Sequence, residues 1–188
     1  MKNVAYIIIA TLLLFIRCIF DIQPENSDII KNGNIEEGEQ TPAYWAFAIV
    51  GQNKYVSDWS MERYRNFNHS LKIAIQSIDD GGAFAYWWQL IESDIPHNKC
   101  LILKAHIKTE NISPPGINIA VRTDGPNRVL GFADLKSTVK GSEDWTSYSV
   151  CLPPVDFKTE KIYIFLIIYP KTTGVVYFDD ISLTSYDL

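Results

Sequence analysis

The chain has 188 residues, 47% of them hydrophobic and 13% aromatic, with a formal net charge of −5. That length buries one core comfortably and two poorly. The acidic balance and the scatter of the 17 Lys and Arg residues leave no basic stripe, which excludes nucleic acid as the expected partner.

The opening, MKNVAYIIIATLLLFIRCIF, sets Lys2 before an apolar run from Val4 to Ile16. This run falls short of the roughly 20 apolar residues of a membrane span and suits the core of an export signal. No A-x-A cleavage site follows, so a cleaved signal peptide, an uncleaved anchor and lipid attachment at Cys18 all stand. Ile16 and Arg17 are larger than lipid-attachment motifs ask for. Each alternative places the remainder outside the cytoplasm, secreted or in the cell envelope, with membrane contact only through this segment. The expected organisation is a signal or anchor at 1–20, a polar linker at 21–30 and one folded domain at 31–188.

From Lys31 onward, period-2 runs alternate with turn signals. NGNIEEGEQTPAYW gives a turn with Ile35 as its apolar anchor. SDWSMERYRNF reads as part of a long loop, 52–69, with a helical turn or two at most. SLKIAIQSI alternates through Leu71, Ile73 and Ile75, and AFAYWWQLI follows it. CLILKAHIKTE puts Leu101, Leu103, Ala105 and Ile107 on one face, and GINIAVRTDG does the same with Ile117, Ile119 and Val121. WTSYSVCLP turns Tyr148, Val150 and Leu152 inward. KIYIFLIIYP is almost continuously apolar and reads as a central strand, and GVVYFDDISL closes the chain. Turns fall at Asp79-Asp80-Gly81-Gly82, Pro114-Pro115-Gly116, Asp124-Gly125-Pro126 and Pro153-Pro154. Seven or more short strands with such turns predict an all-β fold, a two-sheet antiparallel β-sandwich or jelly roll.

Chemistry is sparse. No G-x-S-x-G, H-E-x-x-H, C-x-x-C or Gly-rich phosphate loop occurs, and His69, His97 and His106 are isolated from one another. A hydrolase built from distant acids would need two carboxyls roughly 5–9.5 Å apart across a cleft. In YFDDISL, Asp179 and Asp180 interrupt an apolar strand, so at least one faces the packed side and needs compensation. A bound Ca2+ would supply it; the alternative is a strand end with both acids solvated. If the first and last strands are neighbours, Glu36 or Glu37 and the Asp pair are placed to share that ion. Parity sets Cys100 and Cys151 on outward faces at facing strand ends, which permits a cross-strand disulfide as well as two thiols.

In AYWWQLI, adjacent tryptophans must face opposite ways. Gln89 is a poor core residue and Leu90 a good one, so parity predicts Tyr86, Trp88 and Leu90 inside, with Trp87 and Gln89 on the open face. Lys104, His106, Asn118 and Arg122 fall on the non-core faces of neighbouring strands. An exposed indole beside amides and a guanidinium suits sugar recognition, in which pyranose C–H faces stack on the ring. Trp59 on the long loop is a further candidate. The competing reading covers Trp87 with that loop, using Trp59 and Tyr64.

The ordered series NGNIEEG, SLKIAI, YWWQLI, CLILKAHIKTENI, KGSEDWTSYSVCLP and GVVYFDDISL resembles the galactose-binding-like jelly rolls, in particular carbohydrate-binding modules of families four, nine and twenty-two, across residues 31–186. INIAVRTDGPNRVLGFADLKSTVKGSEDW is similar to an uncharacterised subgroup found in front of bacterial catalytic domains. The resemblance implies a structural calcium between the N-terminal turn and the closing acidic pair, here Glu36 with Asp179 or Asp180. It also implies a concave sheet gripping a glycan, on which Trp87, Gln89 and Arg122 would lie. The expected function is therefore an exported, non-catalytic carbohydrate-binding module. The second reading, raised by the absence of a following catalytic domain, is an envelope protein-interaction scaffold of the same fold. An unrecognised glycan-active hydrolase is the third.

Overall fold

Alternating apolar residues produce nine strands among the described residues, which are 28–51, 54–77 and 82–187 of a computed structural model. The export segment, Cys18, most of the expected linker and the Asp79-Asp80-Gly81 turn lie outside them. The strands are β1 (Ala46–Val50), β2 (Lys54–Ser60), β3 (Ser70–Ser77), β4 (Phe84–Ile91), β5 (Cys100–Asp124), β6 (Val129–Asp134), β7 (Val139–Leu152), β8 (Lys161–Ile168) and β9 (Val175–Tyr186). All pairings are antiparallel, in the order β1-β4-β8-β5-β9-β3-β2, with β6 and β7 also on β5.

The long β5 makes this a sandwich. Its first half pairs with β9 through residues 100–110 and with β7 from Leu101 on to Ile112 and Ile117, whereas Ile117 to Asp124 pair with β8, and Ala120 to Asp124 also with β6. Between the halves the strand runs through Pro114-Pro115-Gly116. Gly116 has φ +104°, and a Cβ there would lie 2.4 Å from the Val139 carbonyl oxygen, so only glycine fits this corner. The runs expected as two strands are thus one strand serving both sheets.

The inward sets predicted for this strand are buried: Leu101, Leu103, Ala105, Ile107, Ile117, Ile119 and Val121. They meet Leu71, Ile73, Ile162, Ile164, Leu166, Phe178 and Leu183 in one core. Burying each such side chain contributes about 1.5–3 kcal/mol. Three strands escape the expected pattern. β1 and β6 are short and lie at sheet edges, and β2 occupies much of the predicted 52–69 loop. Residues 28–30 are not linker: the Ile29 N–H donates to the Leu183 carbonyl (2.9 Å) and Ile30 is buried.

The two cysteines are not directly opposed. Cys100 keeps the parity opposite to Leu101 and Leu103 but is buried, and the register sets Cys151 opposite Ile102. The cysteines therefore sit diagonally on adjacent strands, two residues out of direct register.

Candidate functional site

The parity of β4 is the reverse of the one expected. Burial alternates so that Ala85, Trp87, Gln89 and Ile91 point into the sandwich, while Phe84, Tyr86, Trp88 and Leu90 point out. Trp87 is 5% exposed, packs on Phe47 (ring centroids 5.2 Å) and donates its indole N–H to the Lys72 carbonyl (3.1 Å). Gln89 is buried because a peptide group satisfies its amide. The Lys31 N–H donates to its Oε1 (2.9 Å), and its Nε2 donates to the Lys31 carbonyl (2.8 Å). A buried amide with both ends paired costs little, and the core volume goes to Trp87.

The other half of the alternation builds an aromatic face. Register sets Trp88 opposite Phe165 and Leu90 opposite Tyr163. Five half-buried rings connect on the outside of β4 and β8. Phe84 stacks on Tyr86 (5.8 Å), Tyr86 meets Phe165 edge-on (5.5 Å), Phe165 stacks on Tyr163 (5.9 Å), and Tyr163 tilts toward Trp88 (6.2 Å). The flanking positions Ala46, Ala48 and Ala120 carry only methyl groups. The near-continuous apolarity of β8 thus serves two purposes: Ile162, Ile164, Leu166 and Ile168 fill the core, and Tyr163 and Phe165 line the outer face.

Polar groups frame this face. Arg122, opposite Tyr163, lies over that ring (5.7 Å) and forks onto Asp124 through Nε (2.7 Å) and Nη2 (2.6 Å). Asn118 is on the predicted face but is buried, with Nδ2 donating to Asp134 (3.3 Å) and the Tyr169 hydroxyl (3.2 Å) and Oδ1 accepting from the Leu135 N–H (3.0 Å). Phe132 of β6 stands exposed opposite Arg122. Next to Leu90, a cavity of about 650 Å³ is lined by Asp28, Lys31, Tyr44, Glu92 and Asp94 among others. Burial pushes the Asp28 carboxyl above its ordinary pKa despite N–H bonds from Leu183 and Ile30. Of the ligand-binding residues read from the sequence, Arg122 and Asn118 lie on this face, and Trp87 and Gln89 do not. His106 is on the other sheet, opposite Asp179. Trp59 is structural: it stacks on His69 (4.2 Å) and donates its indole N–H to the Ile35 carbonyl (2.7 Å). Sequence reasoning missed Trp88, Tyr163, Phe165 and Tyr86, although the aromatic alternation of β8 was the available signal.

The three acids read as calcium ligands sit at another corner. Asn32 ties the N-terminal turn together, with Nδ2 donating to the Glu37 and Ala43 carbonyls and Oδ1 accepting from the Glu37 N–H. Gly33 lies so close to β9 that a Cβ would sit 2.0 Å from the Ile181 carbonyl oxygen. Glu36 Oε1 accepts the N–H groups of Asn68 (2.9 Å) and His69 (2.8 Å), and its Oε2 meets His69 Nδ1 (3.1 Å). Burial opposes the Glu36 charge, but these bonds outweigh it and hold the pKa below the ordinary value. Asp179, 1% exposed, accepts the N–H groups of Arg65 (2.8 Å) and Asp180 (2.7 Å), and Asp180 accepts from the Arg65 guanidinium and the Asn66 amide. Burial nonetheless pushes Asp179 up to about 6. Calcium takes six to eight converging oxygens. Here both carboxylate oxygens of Glu36 and of Asp179, and Oδ2 of Asp180, are bound to protein donors, and among the described residues no group of three or more His, Cys, Asp or Glu gathers to hold a metal. This donor set does not fit the ion.

No protein-family profile matches the chain, and no curated protein does. Solved structures do. The enzymatically active domain of tailspike protein 4 from bacteriophage CBA120 superposes with a TM-score of 0.63 at 12% identity, over 85% of this chain and 21% of that one. This chain therefore spans about a fifth of the tailspike chain. The family 11 carbohydrate-binding module of Clostridium thermocellum Lic26A-Cel5E gives 0.55 at 12% identity, covering 89% and 98%. A family 4 module gives 0.54 at 18%, covering 84% and 99%. At these identities the likeness speaks for the fold. The chain has the β-sandwich jelly-roll fold of carbohydrate-binding modules.

Proposed function

We propose that this protein is an exported, non-catalytic carbohydrate-binding module whose ligand lies on the outer face of β4 and β8. The observation that carries the reading is the run of five connected, partly exposed rings on one sheet face, in a fold shared with modules of that kind. Sugar C–H faces stack on such rings, and fixed polar groups bind the hydroxyls. Trp88, Tyr163 and Phe165 would supply the stacking. The Arg122–Asp124 fork, Asp134 and the polar cavity beside Leu90 would supply the hydrogen bonds. The charge of Arg122 is already matched by Asp124, so the face offers directional groups rather than a strong field.

The solved modules suggest probes. One is a complex with β-1,4-galactotriose, one is described as xylan-binding, and one holds a β-1,3-1,4-mixed-linked tetrasaccharide. The test is binding of the full chain to β-galactan, xylan and mixed-linked β-glucan by affinity electrophoresis. Retardation by one of them supports the reading, and a folded protein retarded by no glycan in a wider array contradicts it.

A second reading, an envelope interaction scaffold, draws on exposed Val50, Val129 and Phe132 at the margins of the same face. Apolar margins of this sort suit a protein partner.

A further inference from the structure

We propose that Arg65 is the resident cation of the acidic corner formed by Glu36, Asp179 and Asp180, so that the segment 61–69 performs the bridging a metal ion would otherwise perform. Glu36 belongs to the N-terminal turn and the aspartates to β9, far apart in sequence, and both meet the connection between β2 and β3. Residues of one short stretch of that connection engage each acid in turn: the Arg65 N–H takes Asp179, the Arg65 guanidinium and the Asn66 amide take Asp180, and the N–H groups of Asn68 and His69 take Glu36.

Chemistry distinguishes this arrangement from a disordered ion site. A hard cation needs oxygens converging on one point, whereas here each carboxylate faces its own directional N–H donors. The Asp180 N–H donates to Asp179 Oδ1, which aims the two adjacent acids at the same segment. The Ser70 hydroxyl donates to the Arg63 carbonyl and the Glu62 N–H to the Ser60 hydroxyl, which fixes both ends of the segment independently of the acids. A guanidinium stays charged at any working pH and forms forked bonds to carboxylates. His106, opposite Asp179, has its pKa lowered by burial and then by the positive charge of Arg65, consistent with a cation held at this point. The segment held in this way leaves Met61, Tyr64 and Phe67 exposed, so its conformation comes from its polar base rather than from apolar burial.

Thermal unfolding of the full chain tests the proposal, with wild type, Arg65→Ala and Arg65→Lys each measured in EDTA and in millimolar Ca2+. The wild type should melt within about 1 °C in the two buffers. Arg65→Ala should lose roughly 5 °C in EDTA and regain part of it with Ca2+, because the uncovered acids then need a cation. Arg65→Lys, which keeps the charge, should lose less and ignore calcium. A wild type that drops by several degrees on chelation overturns the proposal. So does an Arg65→Ala variant as stable as wild type, or one that calcium does not help. If Arg65→Ala does not fold, the chelation response of the wild type and of Arg65→Lys decides.

Discussion

Trp87 and Trp88, adjacent in sequence, stand on opposite faces of β4: the first lies in the core with its indole N–H on the Lys72 carbonyl, and the second faces outward against the Tyr163 ring. The pair divides the work of the strand. Stability rests on Trp87 and, in our account, ligand contact rests on Trp88.

Replacing Trp87 should therefore cost folding free energy. Trp87→Ala removes a buried indole and leaves a cavity, for a loss of about 3–5 kcal/mol. Urea denaturation should show the midpoint falling with little change in slope. Trp88→Ala, on the half-buried face, should cost far less.

Gln89 gives a sharper test of why a polar residue is inside. Gln89→Leu fills similar space but removes both hydrogen bonds to the Lys31 peptide, at about 0.5–1.5 kcal/mol for each. The variant should be clearly less stable than wild type, although leucine is the more apolar residue. Equal stability would mean that water reaches Lys31.

Gly33 should tolerate no side chain. A Cβ there would meet the Ile181 carbonyl oxygen at 2.0 Å, at the point where the Ile181 N–H donates to the Gly33 carbonyl (2.8 Å). Gly33→Ala should lose at least about 2 kcal/mol, read as a drop in thermal midpoint.

Asp179 makes stability depend on pH. Its carboxyl is raised from 3.8 to about 6 by burial, so the folded state binds the proton more tightly than the unfolded chain does. The stabilisation is complete below the unfolded value and is lost as pH rises through about 6, amounting to about 3 kcal/mol between the limits. Glu36 works in the opposite sense, its lowered pKa giving stability above the ordinary carboxylate value that is lost in more acid solution. Urea midpoints should therefore rise as pH falls from 7.5 toward 5. In Asp179→Asn that rise should flatten.

Most of the fold was legible because period-2 burial is written directly into runs such as LILKAHI and INIAV. What the sequence hid were relations between distant segments. Gln89 looked like a surface residue because its partner, the Lys31 peptide, is 58 positions away, and that single assumption inverted the reading of β4. Asp179 is the buried member of the acidic pair, and the donors it meets, the backbone N–H groups of Arg65 and Asp180, include one from a stretch whose exposed residues carry no periodicity. Asn118 lies on the outer face as its parity indicated, yet it is buried there, bonded to Asp134, Leu135 and Tyr169. The aromatic face required registering β4 against β8, since neither strand alone shows that Trp88 and Tyr163 meet.

The most direct test of the central claim is isothermal titration of the full chain with the glycan it retains, comparing wild type, Trp88→Ala and Trp87→Phe. Trp88→Ala should lose binding by tenfold or more, about 1.4 kcal/mol, while keeping its fold, and Trp87→Phe should bind like wild type. Undiminished binding by Trp88→Ala would contradict it and place the ligand elsewhere on the molecule.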